Sequence, residues 1–484
     1  MNRLNIQTLS KLPAGIDVPN YSQASITSAI VHFGAGNFHR AHQAVYCDAL
    51  LNQAETRWGI IGVSLRSPKV RDDLAPQDFL YTQATLGNNT TYRIIGAIQS
   101  VLVAQENPQA VIDVIAHNNT QLVTTTITEK GYCLSSGKLD RDHPGIKLDL
   151  ESLTLPQTTY GYLAAALIQR CADQAAPLTI LCCDNMRAGG KTLQDGVQML
   201  VENHSPETLD WIAVNVAFSS SMVDRVTPAT DETLKQMVTE KIGLVDSAPV
   251  AAEPFTQWII ENRFAGERPP FDRVGALFVE NIEPFERVKL RFLNAGHSML
   301  AALGYLAGDL YVHEALQRPA LARFTEQALK YNVLPVTSVP DGINGETYID
   351  QVFERFRNAH LPYAVLQVGA DSSQKILQRW LPSIDDALAE DRDTSYLAFA
   401  LAAWVSFIRK ALLNDDLSDP LRDAFASSKP ESDVRGFLTI AGADRFVCFN
   451  DETFMARVSD IHRDIETIGV ESALAQTHFF ETKT

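Results

Sequence analysis

The sequence predicts an α/β fold: a Rossmann-type doubly wound sheet domain with an N-terminal arm over residues 1–283, then a mainly α-helical domain over 284–484. Three observations carry this. Strand-like apolar runs alternate with helical patterns through the first half, which means a parallel sheet covered by helices. A glycine turn joins the first strand to the helix after it. From about residue 284 strand signals become few and helical periodicity takes over. A chain of 484 residues is also too long for one core, so two domains are the default.

Residues 1–29 show no clear periodicity and are expected to form the arm. The apolar run 29–33 reads as a buried strand. It meets Gly34-Ala35-Gly36-Asn37-Phe38-His39-Arg40-Ala41-His42, then a helical pattern to Leu51. Gly34 permits a tight turn, and Gly36 lets the backbone approach a pyrophosphate seated on the helix N-terminus. The third glycine of this fingerprint is replaced by His39. Its place after the first strand, with a second strand at 58–65, favours dinucleotide binding over a purely structural turn.

The end of the second strand usually carries an acid that grips the ribose of NAD. Here it reads Leu65-Arg66-Ser67-Pro68-Lys69, with no acid before Asp72. Arg66, Ser67 and Lys69 suit a 2'-phosphate, so NAD against NADP stays open. Gly34, Gly36, Asn37, Phe38, His39, Arg66 and Ser67 are the candidate cofactor contacts.

Further along, 91–96 suits an antiparallel extension, 108–117 a helix, 122–128 a β-branched strand, 160–173 a helix and 178–183 a strand. Ligands of such sheets bind beyond the carboxyl ends of the strands. The glycine turn, Glu129-Lys130 and Asp184-Asn185 all fall there, and 221–226 puts Asp224 after another apolar run. Segments 284–307, 319–333, 348–358, 395–413 and 455–473 read as helices of the second domain. The apolar run 397–408, broken only by Ser406, is too short to span a bilayer and reads as a buried helix.

The chemistry centres on 283–300, read as one helix. Pro284 suits a first turn, and Glu283 and Glu286 favour its positive end. At about 100° per residue, with Lys289 as zero, Asn294 falls near about 140° and His297 near about 80°. An amine, an amide and an imidazole thus share one side of an otherwise apolar helix. With a nicotinamide half-site, a buried lysine points to hydride transfer between a carbinol and a carbonyl. A lysine whose pKa is lowered by burial takes the hydroxyl proton near neutral pH. The amides of Asn294 and Asn185 suit the developing oxyanion, and His297 suits orienting the substrate oxygen or the lysine.

Composition narrows the partners. A net charge of −17 argues against nucleic acid and against an anionic membrane surface. The six cysteines show no C-x-x-C pair, and Met1 to Asn5 lacks the apolar core of a signal peptide, so a reduced, cytoplasmic protein is expected. His39-x-x-His42 has no third ligand spaced to complete a metal site, so no metal is expected.

Several motifs stand in a telling order: the 34–42 turn, Cys183-Asp184-Asn185, Met222-Val223-Asp224-Arg225, Glu253-Pro254-Phe255-x-Gln257-Trp258 and Lys289-x4-Asn294-x2-His297-Ser298. Together they resemble the polyol-specific long-chain dehydrogenases, the mannitol dehydrogenase family, over nearly the whole chain. The resemblance implies a Rossmann-type first domain, a helical second domain, no metal, and a chain that often works as a monomer. It implies Lys289 as general base, Asn185 and Asn294 as oxyanion donors, His297 as the orienting group and Asp224 as a substrate contact.

The family splits mainly into enzymes of mannitol and fructose and reductases of fructuronate or tagaturonate. The arm and residues 62–67 look like the first branch. The site-facing segments look like the second: Lys130 stands where mannitol enzymes carry a small residue, and Gln367 where they carry an arginine. Gln367-x3-Asp371-x-Ser373-Gln374-Lys375-x2-Gln378-Arg379 resembles the uronate pattern. A sugar-acid carboxylate wants a cation, which Lys130, Lys375 or Arg379 supplies. The expected substrate is therefore an acyclic C6 sugar acid (D-mannonate/D-fructuronate, a fructuronate reductase). The alternative is a mannitol 2-dehydrogenase acting on D-mannitol/D-fructose. The rival from another class is a non-catalytic nucleotide sensor.

Overall fold

The computed structural model describes residues 2–135, 138–428 and 434–477. The chain divides into two compact units, Met1–Ile282 and Glu283–Thr484.

The first unit is built on an eight-stranded sheet. Its order is Leu277–Val279, Gln257–Glu261, Val216–Asp224, Leu178–Cys182, Leu122–Thr125, Ile30–Phe33, Ile60–Ser64, Ile98–Val103. The strands from Val216–Asp224 to Ile98–Val103 run parallel. Gln257–Glu261 joins antiparallel and carries Leu277–Val279 with it, two strands that sequence reading did not place. All four residues of Ile30–Phe33 are buried. Ile30 joins the apolar cluster on one face, and Val31 and Phe33 join that on the other. This is the near-continuous apolar pattern of a parallel strand covered on both sides. Its neighbours are Ile60–Ser64 on one side and Leu122–Thr125 on the other. The order therefore reverses at Ile30–Phe33, which opens a crevice at its carboxyl end.

The 91–96 run pairs antiparallel with Tyr81–Thr85 in a separate three-stranded sheet completed by Val250–Ala252. The arm is held by single bridges, Arg3 to Val245, Asp17 to Arg93 and Ser28 to Trp58, with Leu4 fully buried.

The second unit is mainly helical around Ser395–Leu413. This helix is long and apolar enough to cross a membrane, but 78% of its apolar window is buried. Ser406, its polar interruption, meets His462 Nδ1 at 2.8 Å, so the hydroxyl enters the core with a partner. Full burial of side chains such as Trp404 and Phe399 contributes on the order of 1.5–3 kcal/mol each.

The 283–300 segment departs from the single α-helix read from sequence. It is α-helical over Glu283–Val288, a π-helix over Lys289–Asn294, and α-helical again over Ala295–Ala307. Apolar spacing alone does not register such a widened turn, because its flanks keep the α period. Side chains from elsewhere take up carbonyls at the junction: Arg379 Nη1 donates to Asn294 O at 3.1 Å and Trp380 Nε1 to Ala295 O at 3.2 Å.

Candidate active site

The site residues fall into two groups, each taken within its own unit. In the first unit the glycine turn leaves the central strand at its carboxyl end. Gly34 sits at φ +92°, and a Cβ there would overlap the Thr126 carbonyl, so only glycine fits. Gly36 is exposed, and a Cβ there would meet nothing nearer than Gly34 O at 3.8 Å. Open space above its backbone is what a pyrophosphate needs, so the turn fits a dinucleotide.

His39, at the third fingerprint position, turns inward. It is 1% exposed and stacks on His32 with centroids 3.4 Å apart. His32 is fixed by Thr124 Oγ1 at 2.7 Å and Thr126 Oγ1 at 2.8 Å. A ring thus fills the close helix-to-strand contact that glycine usually permits, and His39 lies behind the turn. His42 faces elsewhere, with Nε2 2.9 Å from Gln257 O. Among the described residues no group of three or more His, Cys, Asp or Glu gathers to hold a metal.

Asn37 is tied at both ends of its amide, donating to Thr230 Oγ1 at 3.0 Å and accepting from Arg40 at 2.7 Å. Phe38 stacks on His42 at 5.2 Å. Beyond Ile60–Ser64, Arg66 and Ser67 are exposed, and Ser67 Oγ accepts from Lys69 N at 3.2 Å. Among the described residues no hydrogen bond or ion pair reaches the Arg66 guanidinium, whereas Lys69 pairs with Asp73.

Asp184 accepts from Ile127 N at 3.1 Å, Thr128 N at 2.8 Å and Tyr132 OH at 2.6 Å. Burial raises its pKa and these donors oppose the rise. It is therefore the clasp of the turn Thr128–Gly131, on which Lys130 is exposed. Asn185 is exposed beside it. Asp224, 4% exposed, closes the fully buried strand Val216–Asp224. The next residue, Arg225, donates to Ala41 O at 2.7 Å and to Glu253 O at 3.1 Å, fastening the glycine-turn helix to this strand end.

In the second unit, Lys289 and Asn294 are the first and last residues of the π-helix. A π turn closes i to i+5, so this i, i+5 pair stacks across one turn instead of standing about 140° apart as an α period requires. Asn294 to His297 is then an α-helical i, i+3 step, which keeps neighbours on one face. The π turn draws the three groups into one row. Lys289 is 7% exposed. Asn294 Oδ1 and His297 Nε2 are both sheltered and lack hydrogen-bond partners among the described residues.

The His297 ring stacks on Phe356 and meets Tyr363 edge-on, each at 5.0 Å. Burial first, then the nearby charges of Arg379, Arg355 and Lys375, push its pKa down to about 3. The imidazole is neutral near pH 7 and can take or give a hydrogen bond.

The uronate-type cations are placed differently from the sequence expectation. Arg379 Nη1 donates to Asn294 O and to Ser298 Oγ at 2.6 Å. Lys375 donates to Val368 O at 3.1 Å and Ala370 O at 2.5 Å, at the end of the helix Val365–Gly369. Gln367, on that helix, is exposed. Sequence reading missed Arg355, Phe356 and Tyr363 around His297. Arg355 and Phe356 lie in an ordinary amphipathic helix, Gly345–Phe356, and nothing in its pattern marks them.

Residues 28–273 match the mannitol dehydrogenase Rossmann domain and residues 281–443 the mannitol dehydrogenase C-terminal domain. A mannitol 2-dehydrogenase of Aspergillus fumigatus is 36% identical, over 98% of both chains. One from Phaeosphaeria nodorum is 35% identical over 98% of this chain and 85% of that one. Among solved structures, a D-sorbitol dehydrogenase in substrate-free form superposes with a TM-score of 0.89 at 30% identity, covering 97% of this chain and 100% of that one. The Pseudomonas fluorescens mannitol 2-dehydrogenase ternary complex with NAD and D-mannitol superposes with a TM-score of 0.85 at 32% identity, covering 99% and 100%.

Proposed function

The chain belongs to the mannitol dehydrogenase family, and from that premise we propose that it is an NAD-dependent oxidoreductase interconverting a secondary alcohol and a 2-ketone on an acyclic polyol. The observation that carries the reading is the row Lys289, Asn294, His297 made by the π turn. D-Mannitol and D-fructose are the favoured pair, since the relatives are named mannitol 2-dehydrogenases and one was solved with NAD and D-mannitol.

NAD, when bound, would supply the hydride acceptor; Gly34 and Gly36 would admit its pyrophosphate, and Arg66, just past the second strand, would be the cation for a 2'-phosphate. The chain's own residues handle the proton. Lys289 Nζ takes the hydroxyl proton as the carbinol is oxidised. Asn294 donates amide hydrogens to the oxygen as charge develops on it. His297, neutral and wedged between Phe356 and Tyr363, orients the same oxygen. A non-catalytic sensor has no use for this set.

The sugar-acid reading is the weaker one. It needs a free cation for a carboxylate, and Arg379 and Lys375 both donate to main-chain carbonyls. Lys130 remains exposed. Initial rates with NAD and NADP on D-mannitol and D-mannonate, and in reverse on D-fructose and D-fructuronate, test the choice. Faster turnover of the hexitol pair is expected; faster turnover of the sugar acids restores the other branch. The six unpaired cysteines suit a reducing compartment, and we propose a cytoplasmic location.

A further inference from the structure

We propose that Arg379 is a positioning residue for this reaction: it braces the π turn that sets the spacing of Lys289 and Asn294. The inference rests on the dehydrogenase reading above and concerns a residue that, by sequence, looked like a carboxylate-binding cation.

π-Helix is rare, well under 1% of residues in soluble proteins, and it persists where surroundings hold it. Here the holding groups come from one neighbouring segment. In a continuous α-helix the Asn294 carbonyl would point at the amide of Ser298, one turn on. Arg379 Nη1 clamps that one-turn step from the side, 3.1 Å from Asn294 O and 2.6 Å from Ser298 Oγ. Trp380 Nε1 takes the next carbonyl, Ala295 O, at 3.2 Å, and the Trp380 ring is fully buried. The helix Ser372–Arg379 and the residue after it thus grip the C-terminal edge of the π turn at two consecutive carbonyls.

The guanidinium is well suited to this. One of its nitrogens, Nη1, reaches the carbonyl and the hydroxyl at once from a rigid planar frame, whereas an ammonium is a compact point charge on a flexible stem. Burial lowers the Arg379 pKa to about 10, so it stays charged near pH 7 and contributes to keeping His297 neutral. One side chain therefore acts on the spacing of Lys289 and Asn294 and on the protonation of His297.

The experiment compares wild type, Arg379→Lys, Arg379→Ala and Trp380→Phe, all full length, by hydrogen exchange of residues 289–299, NAD titration by fluorescence, and steady-state kinetics on D-mannitol. Arg379→Ala is expected to lose amide protection over 289–299 alone, to keep its NAD affinity, and to fall in kcat by about 100-fold, the scale of a 1 Å misplacement. Added guanidinium ion at millimolar concentration should return part of kcat. Arg379→Lys should fold, retain the low apparent pKa of His297 in the kcat/KM profile, and still lose kcat, which separates positioning from charge. Trp380→Phe should lose less.

Unchanged exchange over 289–299 overturns the proposal. So does a variant that raises KM at intact kcat, which would make Arg379 a substrate contact. If wild type turns over no polyol, the dehydrogenase reading fails, and the exchange data alone decide whether Arg379 braces the turn.

Discussion

His39 lies flat on His32, ring centroids 3.4 Å apart and planes within 16°. Burial holds both rings neutral, pushing His32 down to about 3 and His39 well below the usual imidazole value. In the unfolded chain each binds a proton below about pH 6.5. The unfolded state then holds more protons, so stability is intact above about pH 6.5 and falls as the pH drops from there toward about 3, by about 1.4 kcal/mol per pH unit per ring. His39→Phe keeps the stacked ring and removes one titrating group. Urea unfolding at about pH 7 and about pH 5 should show a smaller difference for the variant than for wild type; an equal difference would remove the pair as a source of acid lability.

Lys289→Ala should bind NAD with unchanged affinity and lose turnover by about 10²–10⁴-fold, the usual worth of a positioned base. Added primary amines should restore part of it. Asn294→Ala should cost about 10²–10³-fold in kcat, as for an oxyanion donor. Stopped-flow hydride transfer and NAD titration together check both, and near-normal activity of the lysine variant would rule it out as base.

The two turn glycines should respond differently. Gly34→Ala forces a left-handed φ and an overlap with the Thr126 carbonyl, so a drop of more than about 1 kcal/mol in stability and loss of NAD binding are expected. Gly36→Ala meets open space and should stay folded while weakening NAD, because the added methyl stands where the pyrophosphate approaches. Thermal melts and calorimetric NAD titration of the two variants separate the effects.

Arg66 should decide the response to a 2'-phosphate. Wild type should bind both ADP and 2',5'-ADP, and Arg66→Ala should weaken only the second, by about tenfold or more, as a charged hydrogen bond is worth about 1.5–3 kcal/mol. Calorimetry with the two fragments reads this directly. Equal losses for both would place Arg66 outside the ribose site.

Much of this was legible in the residues. The strand–glycine–helix order and the strand after it announce the nucleotide crevice, because turn chemistry and apolar runs are local signals. The Lys289, Asn294 and His297 trio stood out because polar groups on an apolar face need an explanation. Three things were hidden. The widened turn leaves no mark on apolar spacing. The strands Gln257–Glu261 and Leu277–Val279 are short and edge-lying, and their pairing is long-range. The bonds of Arg379 and Lys375 to main-chain carbonyls are the third, since a cation capping a carbonyl and a cation awaiting a ligand look alike in a sequence.

The helix that carries Lys289 holds one residue more per turn there than its flanks do. Were the same residues, none removed, to relax into an uninterrupted α-helix, the main-chain hydrogen bonds of the segment would still be made. The amine would then be swung by about 100° relative to His297. Such a chain would be a sound scaffold with its reagents out of phase: in this helix catalysis depends on an irregularity that folding alone does not require.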